Sequence, residues 1–473
     1  MRRGLAGQDG PRSSGPDDDE GWRVMGRRTA WWRARAWRGR PSARARVAAV
    51  GAVLCTAAAA SWPAAAAAAG TPSAGVSSAA SSYAFAEDAQ PVDGAKGTSG
   101  AELLEAGRAY RSSLPRDTKL YYSLRLDAAS NAYVSVTAIP RADATLSITD
   151  GIKVSVQDVD NHSCSNERAR FGAAKSPHPI TAWGVRTTSP ANPVCQGTGT
   201  YYVVVERAGT ADSSPGAWDL EITATTEPRL KQAGSTSPPK AWNSALPTPV
   251  SGAAKHSQGG AGFSRAATVG QGVWSADITP GQTLFYKVPV GWGQQPSATA
   301  ELGSANGDGH GYAIDALALT LYNPVRADVE DANVGYDGKQ KSASLAAVPA
   351  VDYTNRYAIP DHVNGMRFAG SYYLVVHLAA GVADKFGDGP FRLRLRVGVE
   401  GAPQDGPRYE GQSVPGNVFE VTAQDRHAAA EGGTAAAHAT MKAVAVGGIG
   451  AGTVVLAVLG VWTVAARRRA RAW

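Results

Sequence analysis

The fold of this chain is decided by two closely similar stretches, Gly199-Thr-Tyr-Tyr-Val-Val-Val-Glu206 and Gly370-Ser-Tyr-Tyr-Leu-Val-Val-His377. Each begins with glycine and continues with aromatic and β-branched residues, the residue types that are enriched in strands. The two copies lie in different halves of the 473-residue chain. One strand signature that occurs twice indicates an internal repeat of a β-domain.

Two further strand patterns recur in the same order along the chain. Residues 110–126 match 274–290 without a gap, and residues 216–223 match 389–396. Apolar side chains alternate with polar ones in these stretches, and Gly or Pro separates them, as is typical of strands joined by turns. No long amphipathic helical pattern occurs between 105 and 400. The sequence therefore predicts an all-β protein with two tandem, jelly-roll-like β-sandwich domains.

The order of these strand motifs resembles that of bacterial pre-peptidase C-terminal-type domains, which are jelly-roll β-sandwiches. The glycine-rich stretches 259–263 and 291–294 are similar to those of actinobacterial secreted proteins with this tandem layout. The resemblance covers roughly 100–400 and implies a fold more than a chemistry. Domains of this type accompany secreted peptidases or von Willebrand A domains. The sequence contains neither a peptidase signature nor an Asp-x-Ser-x-Ser metal motif.

Composition divides the rest of the chain into linkers and terminal segments. Stretches of small residues, Pro and Gly predict segments without a packed core. The predicted organisation is an N-terminal extension and signal peptide (1–69), a disordered linker (70–98), a first β-sandwich (99–226), a Pro/Gly/Ser linker (227–258), a second β-sandwich (259–400), an Ala/Gly-rich stalk (401–440), a transmembrane helix (443–466) and a basic cytoplasmic tail (467–473).

The C-terminal end has the features of a membrane anchor. Residues 443–466 are uncharged and apolar, and a helix of this length reaches roughly 36 Å, enough to cross a hydrocarbon core of about 30 Å. Four arginines follow within 467–473 and favour the cytoplasmic side. We expect a single-pass protein of the cell membrane, with its N-terminal ectodomain outside and its C-terminus in the cytoplasm.

The N-terminal end has the features of an export signal. Eight arginines between 27 and 46 precede an apolar stretch, 47–60, and small residues at 64–69 offer a cleavage site. Upstream of Met25 the chain is polar, so Met25 would begin a more ordinary signal peptide. The alternative is an uncleaved anchor, because residues 47–69 are long enough to span a membrane.

The positive charge of the chain lies at its two ends. The formal net charge is +7, but residues 1–46 and the C-terminal arginines together carry +11, so the remainder carries −4. A basic nucleic-acid-binding patch is therefore not expected.

The exported part keeps two of the three cysteines, Cys164 and Cys195, and an even pair in an oxidising compartment predicts a disulfide.

Acidic residues follow a strand at matching places in the two halves. At a constant offset of 173, residues 146–158 map onto 319–331. Clustered loop oxygens are the ligands that calcium needs, although Asp and Asn are also common in solvated turns. The sequence thus predicts either no cofactor or calcium, and the oxygens that would bind calcium belong to Asp158, Asp160, Asp328 and Asp331.

Tryptophans are the other candidate for a binding role. Exposed indoles on a β-sandwich can stack on sugars, and tryptophan is enriched in protein interfaces. The alternative for each position is core or linker packing. The predicted binding residues are Trp183, Trp274 and Trp292.

Motifs for catalysis are missing from the sequence. It has no Gly-x-Ser-x-Gly elbow, no His-Glu-x-x-His pair and no phosphate-binding loop, so no catalytic residue is predicted. We expect a non-enzymatic binding or scaffold ectodomain that engages a cell-envelope protein or a wall polymer, and no nucleic acid. The competing expectation is an accessory subunit of an envelope hydrolase or peptidase system, or such an enzyme itself.

Overall fold

The computed structural model of the protein describes residues 83–188, 194–209, 212–307 and 309–432. The predicted signal peptide, the predicted transmembrane helix 443–466 and the tail 467–473 lie outside the described residues. Within those described ranges, no helix combines the length and the apolar character needed to cross a membrane.

The first half of the described chain forms two mainly antiparallel sheets. One has the strand order β1-β2-β9-β4-β7 and the other β3-β8-β5-β6. The strands are β1 (Gln90–Pro91), β2 (Ala109–Leu114), β3 (Lys119–Leu126), β4 (Asn131–Ile139), β5 (Gly151–Gln157), β6 (Ser163–Arg170), β7 (Ile180–Arg186), β8 (Gly199–Ala208) and β9 (Trp218–Glu227).

The second half forms two sheets of the same kind. Their strands are β10 (Lys255–His256), β11 (Ala267–Thr268), β12 (Gly272–Ile278), β13 (Thr283–Val290), β14 (Gln295–Leu302), β15 (Ala313–Tyr322), β16 (Asp328–Tyr336), β17 (Lys341–Ser344), β18 (Gly370–Leu378) and β19 (Phe391–Glu400). The strand orders are β10-β12-β19-β14-β17 and β11-β13-β18-β15-β16. Short helices α1 (Asp361–Asn364) and α2 (Ala383–Phe386) lie in loops, and α3 (Ala423–Glu431) follows the last strand.

The strand register shows that the two halves follow the same path. Leu120 on β3 pairs with Val205 on β8, and Leu284 on β13 pairs with Val376 on β18. These are the residues that the matches 110–126 with 274–290 and 199–206 with 370–377 make equivalent. The interpretation of those stretches as repeated strands is confirmed.

Each half buries its own hydrophobic core between its two sheets. The core of the first half includes Tyr122 and Trp218, which are 0 % and 1 % exposed, and that of the second includes Trp274 and Tyr286. Period-2 alternation places these side chains on the inner faces of the sheets. The predicted all-β sandwich fold is confirmed.

Two of the segments predicted to lack a packed core are folded where the structure describes them. Residues 83–98, predicted to be a disordered linker, contain β1 and bury Tyr83 and Val92. Burial of an aromatic ring and strand pairing offset the conformational entropy that this stretch of small residues loses when it becomes ordered. The prediction of disorder is therefore wrong for 83–98.

Residues 401–432, predicted to be part of a stalk, pack against both halves. The Glu410 N–H donates to Arg229 O at 2.9 Å, and Val414 pairs with Thr226 in a bridge. Phe419, only 3 % exposed, lies against the second half. A Cβ at Gly370 would come within 2.3 Å of Val418 O, so this segment also approaches β18 closely. The prediction of a stalk is wrong for 401–432, because its aromatic residues find buried partners.

Candidate functional site

A network of buried ion pairs and hydrogen bonds lies where the two halves meet. We call this contact the seam; Tyr133, Glu221 and Glu227 line it from the first half, and Arg326, Arg356 and Phe368 from the second. Both glutamates lie on β9. Their odd-numbered positions place them on the outer face of the strand, opposite the core residues Leu220 and Ile222.

Glu227 and Arg356 form a bidentate ion pair. Two guanidinium nitrogens of Arg356 donate to Glu227 Oε1 and Oε2 at 2.7 and 3.0 Å, and the glutamate is fully buried. Asn131, Tyr133 and Tyr409 donate to the same carboxylate at 2.7–2.9 Å. Burial alone would raise the pKa of Glu227, but Arg356 and these donors lower it. The carboxylate is therefore charged and saturated.

Glu221 forms the second ion pair across the seam. Arg326 Nη1 donates to Glu221 Oε2 at 2.6 Å, and Tyr83 donates to the same oxygen at 2.6 Å. The N–H of Ala86 donates to the other oxygen at 2.9 Å. Against the effect of burial, Arg326 lowers the pKa of Glu221. The N-terminal segment thus joins the two halves through the same buried carboxylate.

Aromatic rings fill the space around both ion pairs. Tyr133 contacts Phe368 edge to face at 5.1 Å and stacks near Trp183 at 6.0 Å, while Phe368 stacks on Phe419 at 4.7 Å. Such offset and edge-to-face pairs add specificity to apolar burial. Dry aromatic surroundings also strengthen the ion pairs and make any unpaired charge costly.

A serine and two histidines form a third contact across the seam. Ser176 Oγ lies 2.9 Å from His377 Nε2, and the rings of His178 and His377 stack at 4.4 Å with 21° between their planes. Burial lowers the pKa of His178, and burial together with repulsion from His178 holds the pKa of His377 well below its usual value. Both imidazoles are therefore neutral near pH 7.

The Ser176–His377 contact has the distance of a nucleophile and its base but not the surroundings. Ser176 is 2 % exposed and His377 is 4 % exposed. The other ring nitrogen of His377 faces Thr283 Oγ1 and Gln282 O at 3.0 and 3.1 Å, and the Ala380 N–H donates to Ser176 Oγ. A carboxylate that orients the imidazole is what a hydrolase triad would add. This arrangement holds the halves together and gives a substrate no access.

The predicted disulfide is confirmed. Cys164 on β6 and Cys195 before β8 are joined, with 5.7 Å between their Cα atoms. Arg186, fully buried, donates to the backbone oxygens of Cys195, Gly197, Ser130 and Asp127. The disulfide and this arginine together fix the loop that leads into β8.

The residues predicted to bind calcium fall into two separate groups. Ligand atoms of Asp158, Asp160 and His162 lie within 4.8 Å of one another in the β5–β6 turn. Asp158 already accepts hydrogen bonds from the N–H groups of Asp160 and His162 and contacts the His162 ring. Asp328 and Asp331 lie on β16, where Asp331 accepts from Asn333.

The predicted offset of 173 between the acidic stretches is wrong. Leu319 lies on β15, but its assumed counterpart Leu146 precedes β5. Val154 pairs with Val205 and Leu319 with Val376, so Val154 is the residue equivalent to Leu319. The chance similarity of two short Leu-x-(Ile/Leu) patterns produced the false match. Asp328 and Asp331 follow the strand β15, but they lie on the edge strand β16 rather than in a loop.

The three tryptophans predicted to bind a ligand lie in three different surroundings. Trp274 is 2 % exposed in the second core and donates to Gly270 O at 2.8 Å, so stacking on a ligand would require removing it from the core. Trp292 is partly buried and packs near Gly406. Trp183 is partly buried at the seam. The structure does not bring the three together.

One cavity among the described residues holds about 330 Å³. It lies between β18 and the C-terminal segment. Its polar lining includes Ser371, Tyr373, Asn417, Glu420 and Asp425. Asp425 is engaged in a capping box with Thr422 at the start of α3. The lining residues of this cavity include carboxylates and hydroxyl groups but no histidine, lysine or cysteine.

Comparison with known proteins gives likeness of fold only. No family model and no curated protein matches the chain. The pre-peptidase C-terminal domain of a collagenase from Bacillus anthracis is similar over 26 % of this chain and 93 % of that domain, at 15 % identity and a TM-score of 0.17.

Two tandem structures are similar over a larger share. The CBM22 tandem of Xyn10C from Paenibacillus barcinonensis matches 63 % of this chain and 92 % of its own, at 10 % identity and a TM-score of 0.17. The CUB1-EGF-CUB2 region of human MASP-1/3 matches 61 % and 99 %, at 8 % identity and a TM-score of 0.15. At these TM-scores the likenesses support no conclusion about what this chain binds.

Sequence reasoning missed the seam residues. The available signal was the pair Glu221 and Glu227, two carboxylates on one face of a strand rich in apolar and threonine residues. A charged residue on a strand face is usually solvated, and the arginine partners lie more than 100 positions away in sequence. The pattern alone therefore could not identify a buried interface.

Proposed function

We propose that this protein is a non-enzymatic binding or scaffold ectodomain, displayed on the outside of the cell membrane by a single C-terminal anchor. Its partner would be another cell-envelope protein or a wall polymer. The observation that carries the proposal is the seam, where two buried ion pairs, Glu221–Arg326 and Glu227–Arg356, join the two sandwiches. A binding protein gains from such rigidity because a preorganised surface loses less entropy on association.

The buried ion pairs support a fixed geometry more than a large stability. Replacing a buried ion pair by apolar residues is often neutral or stabilising, whereas removing one partner is costly. Two such pairs, Glu221–Arg326 and Glu227–Arg356, therefore select one relative placement of the halves. Under the proposal, a partner contacts surface from both halves at once and requires that placement.

Display on the membrane is the second part of the proposal. The apolar run 443–466 and the following arginines support an anchor with the ectodomain outside. The disulfide supports an oxidising compartment, where such bonds persist. Calcium binding at Asp158 and Asp160 would be an addition to this function rather than its basis.

The test uses the full chain, purified in mild detergent. It is screened for turnover of peptide, ester and glycan substrates, and for retention on wall material and on envelope extracts. Specific retention without turnover is the expected result. Turnover that one Asp, Ser or His substitution abolishes would instead support the alternative, an enzyme of the envelope or an accessory subunit of a hydrolase or peptidase system.

A matched pair of variants tests the role of the seam in binding. Arg356→Met breaks the Glu227 pair, and Arg392→Gln removes an exposed arginine from the outer face of β19. Retention that falls with Arg356→Met and persists with Arg392→Gln would show that the partner needs the joined halves. Equal retention of both variants, measured at a temperature where both remain folded, would contradict a composite binding surface.

A further inference from the structure

Arg367 occupies an aromatic cage at the seam. The residue lies in the loop before β18 and keeps only 5 % of its surface exposed. Its guanidinium carbon lies 5.1 Å from the ring centroid of Trp183, 5.4 Å from that of Phe368 and 5.8 Å from that of Tyr133. These distances are within the range of about 6 Å for cation–π attraction. Rings from both halves thus surround one cation.

One donor of this guanidinium has no acceptor among the described residues. The Nε of Arg367 is buried and has no hydrogen-bond partner there. Arginine stays charged and carries five N–H donors, so burial without acceptors is costly. The ring faces attract the charge, but they leave the in-plane N–H donors unused.

The buried carboxylate of Glu227 is already occupied by other donors. Glu227 accepts from Asn131, Tyr133, Tyr409 and twice from Arg356, and a carboxylate offers about four lone-pair sites. The local group therefore contains two guanidiniums and one saturated carboxylate. Burial lowers the pKa of Arg367 and repulsion from Arg356 adds to this effect, while Tyr133 and Glu227 act in the opposite direction.

We propose that Arg367 and its aromatic cage form a binding site for a small monovalent anion, of the class of chloride or a short carboxylate. An anion in the plane of the guanidinium would receive charge-assisted hydrogen bonds and balance the second positive charge. The occupant must be small, because nine-tenths of the arginine surface is already covered. Of the three rings, only that of Trp183 belongs to a partly exposed residue, so the anion would enter beside Trp183. The site does not depend on the binding role proposed above.

The test follows the ³⁵Cl NMR line width of chloride added to the full chain in detergent, with gluconate keeping the ionic strength constant. Binding at one buried site gives excess broadening that saturates. Acetate should displace the chloride and remove the broadening, whereas the bulky gluconate should not. Broadening that rises linearly without saturation, or that is absent, would overturn the proposal.

Variants locate the site. Arg367→Gln should weaken chloride binding about tenfold or more, because it removes a charge-assisted contact. Arg392→Gln, which removes an exposed arginine on β19, should leave the broadening unchanged. Equal broadening in folded Arg367→Gln protein would refute the assignment. If Arg367→Gln does not fold, Arg367→Lys provides the test: it keeps the charge but loses the planar donor fork, so weaker binding supports the site and unchanged binding rejects it.

Discussion

The imidazole of His178 stacks on that of His377 at 4.4 Å, one ring from each half of the protein. His377 also contacts Ser176 through Nε2 and Gln282 O through Nδ1. A neutral ring with its proton on Nδ1 satisfies both contacts, since Gln282 O accepts and Ser176 donates. Protonation of either ring would place a charge in a buried contact beside a second histidine.

Acidification should therefore loosen the seam. Histidines with lowered folded pKa values bind fewer protons when folded than when unfolded, so their contribution to stability is complete above about pH 6.5 and falls as the pH drops below it. The loss is at most about 1.4 kcal/mol per pH unit for each histidine. Urea unfolding of the full chain at pH 7.5, 6.0 and 5.0 measures this slope.

The variant His178→Phe is the matched control for the pH effect. It keeps the aromatic contact with Phe171 and removes one titrating group together with its repulsion on His377. The slope between pH 7.5 and 5.0 should become shallower. A slope identical to that of the unsubstituted protein would show that other groups cause the pH dependence.

The buried pair Glu227–Arg356 should respond very differently to single and double substitution. Arg356→Met leaves a buried carboxylate without its cation and should cost about 3–5 kcal/mol of unfolding free energy. Replacing both residues, as in Glu227→Gln with Arg356→Met, should recover part of that loss because neither position then carries an unpaired buried charge. Chemical unfolding of Arg356→Met, of Glu227→Gln, of the double variant and of the unsubstituted chain gives the coupling energy.

The exposed pair Arg141–Asp143 provides the comparison for that experiment. Both side chains are 73 % exposed, so solvent screens their attraction. Arg141→Gln should leave the unfolding midpoint unchanged. A loss as large as that of Arg356→Met would mean that burial does not set the cost of breaking these ion pairs.

The repeated strands could be predicted from sequence because a sandwich core imposes a simple rule on each strand. Inner positions must be apolar every second residue, and the alternation at Leu120 and Tyr122 recurs at Leu284 and Tyr286 with the same pairing register. The disulfide could also be predicted from sequence, because an even number of cysteines in an oxidising compartment is enough to indicate one.

The seam could not be predicted for a physical reason. Contacts such as Glu221–Arg326 depend on the relative placement of two separately folded sheets, which no local period encodes. Composition was misleading at 83–98 and 401–432, because a few aromatic residues such as Tyr83 and Phe419 fix segments otherwise rich in small residues. The predicted match between the two acidic stretches was wrong for a third reason. A short chance similarity in sequence concealed that Val154 and Leu319 are the equivalent strand residues.

The disulfide should stabilise the first half. Free-thiol labelling of unfolded, unreduced protein should leave Cys164 and Cys195 unmodified, so that Cys55 is the single reactive thiol of a chain that retains its N-terminus. A double Cys-to-Ser variant should lose about 3–4 kcal/mol, as the chain-entropy model gives for a separation of 31 residues. Labelling by mass spectrometry decides the first point, and more than one modified cysteine would contradict it.

The C-terminus should lie in the cytoplasm. Four arginines follow the apolar run 443–466, and positive charge beside a membrane span is retained on the cytoplasmic side. An epitope tag placed after Trp473 should therefore survive external protease on intact cells and be lost only after the membrane is permeabilised. A second tag inserted after Gly100, at an exposed turn before β2, should be removed from intact cells under the same conditions. Loss of the C-terminal tag from intact cells would refute the topology, and survival of both tags would place the sandwiches inside the cell.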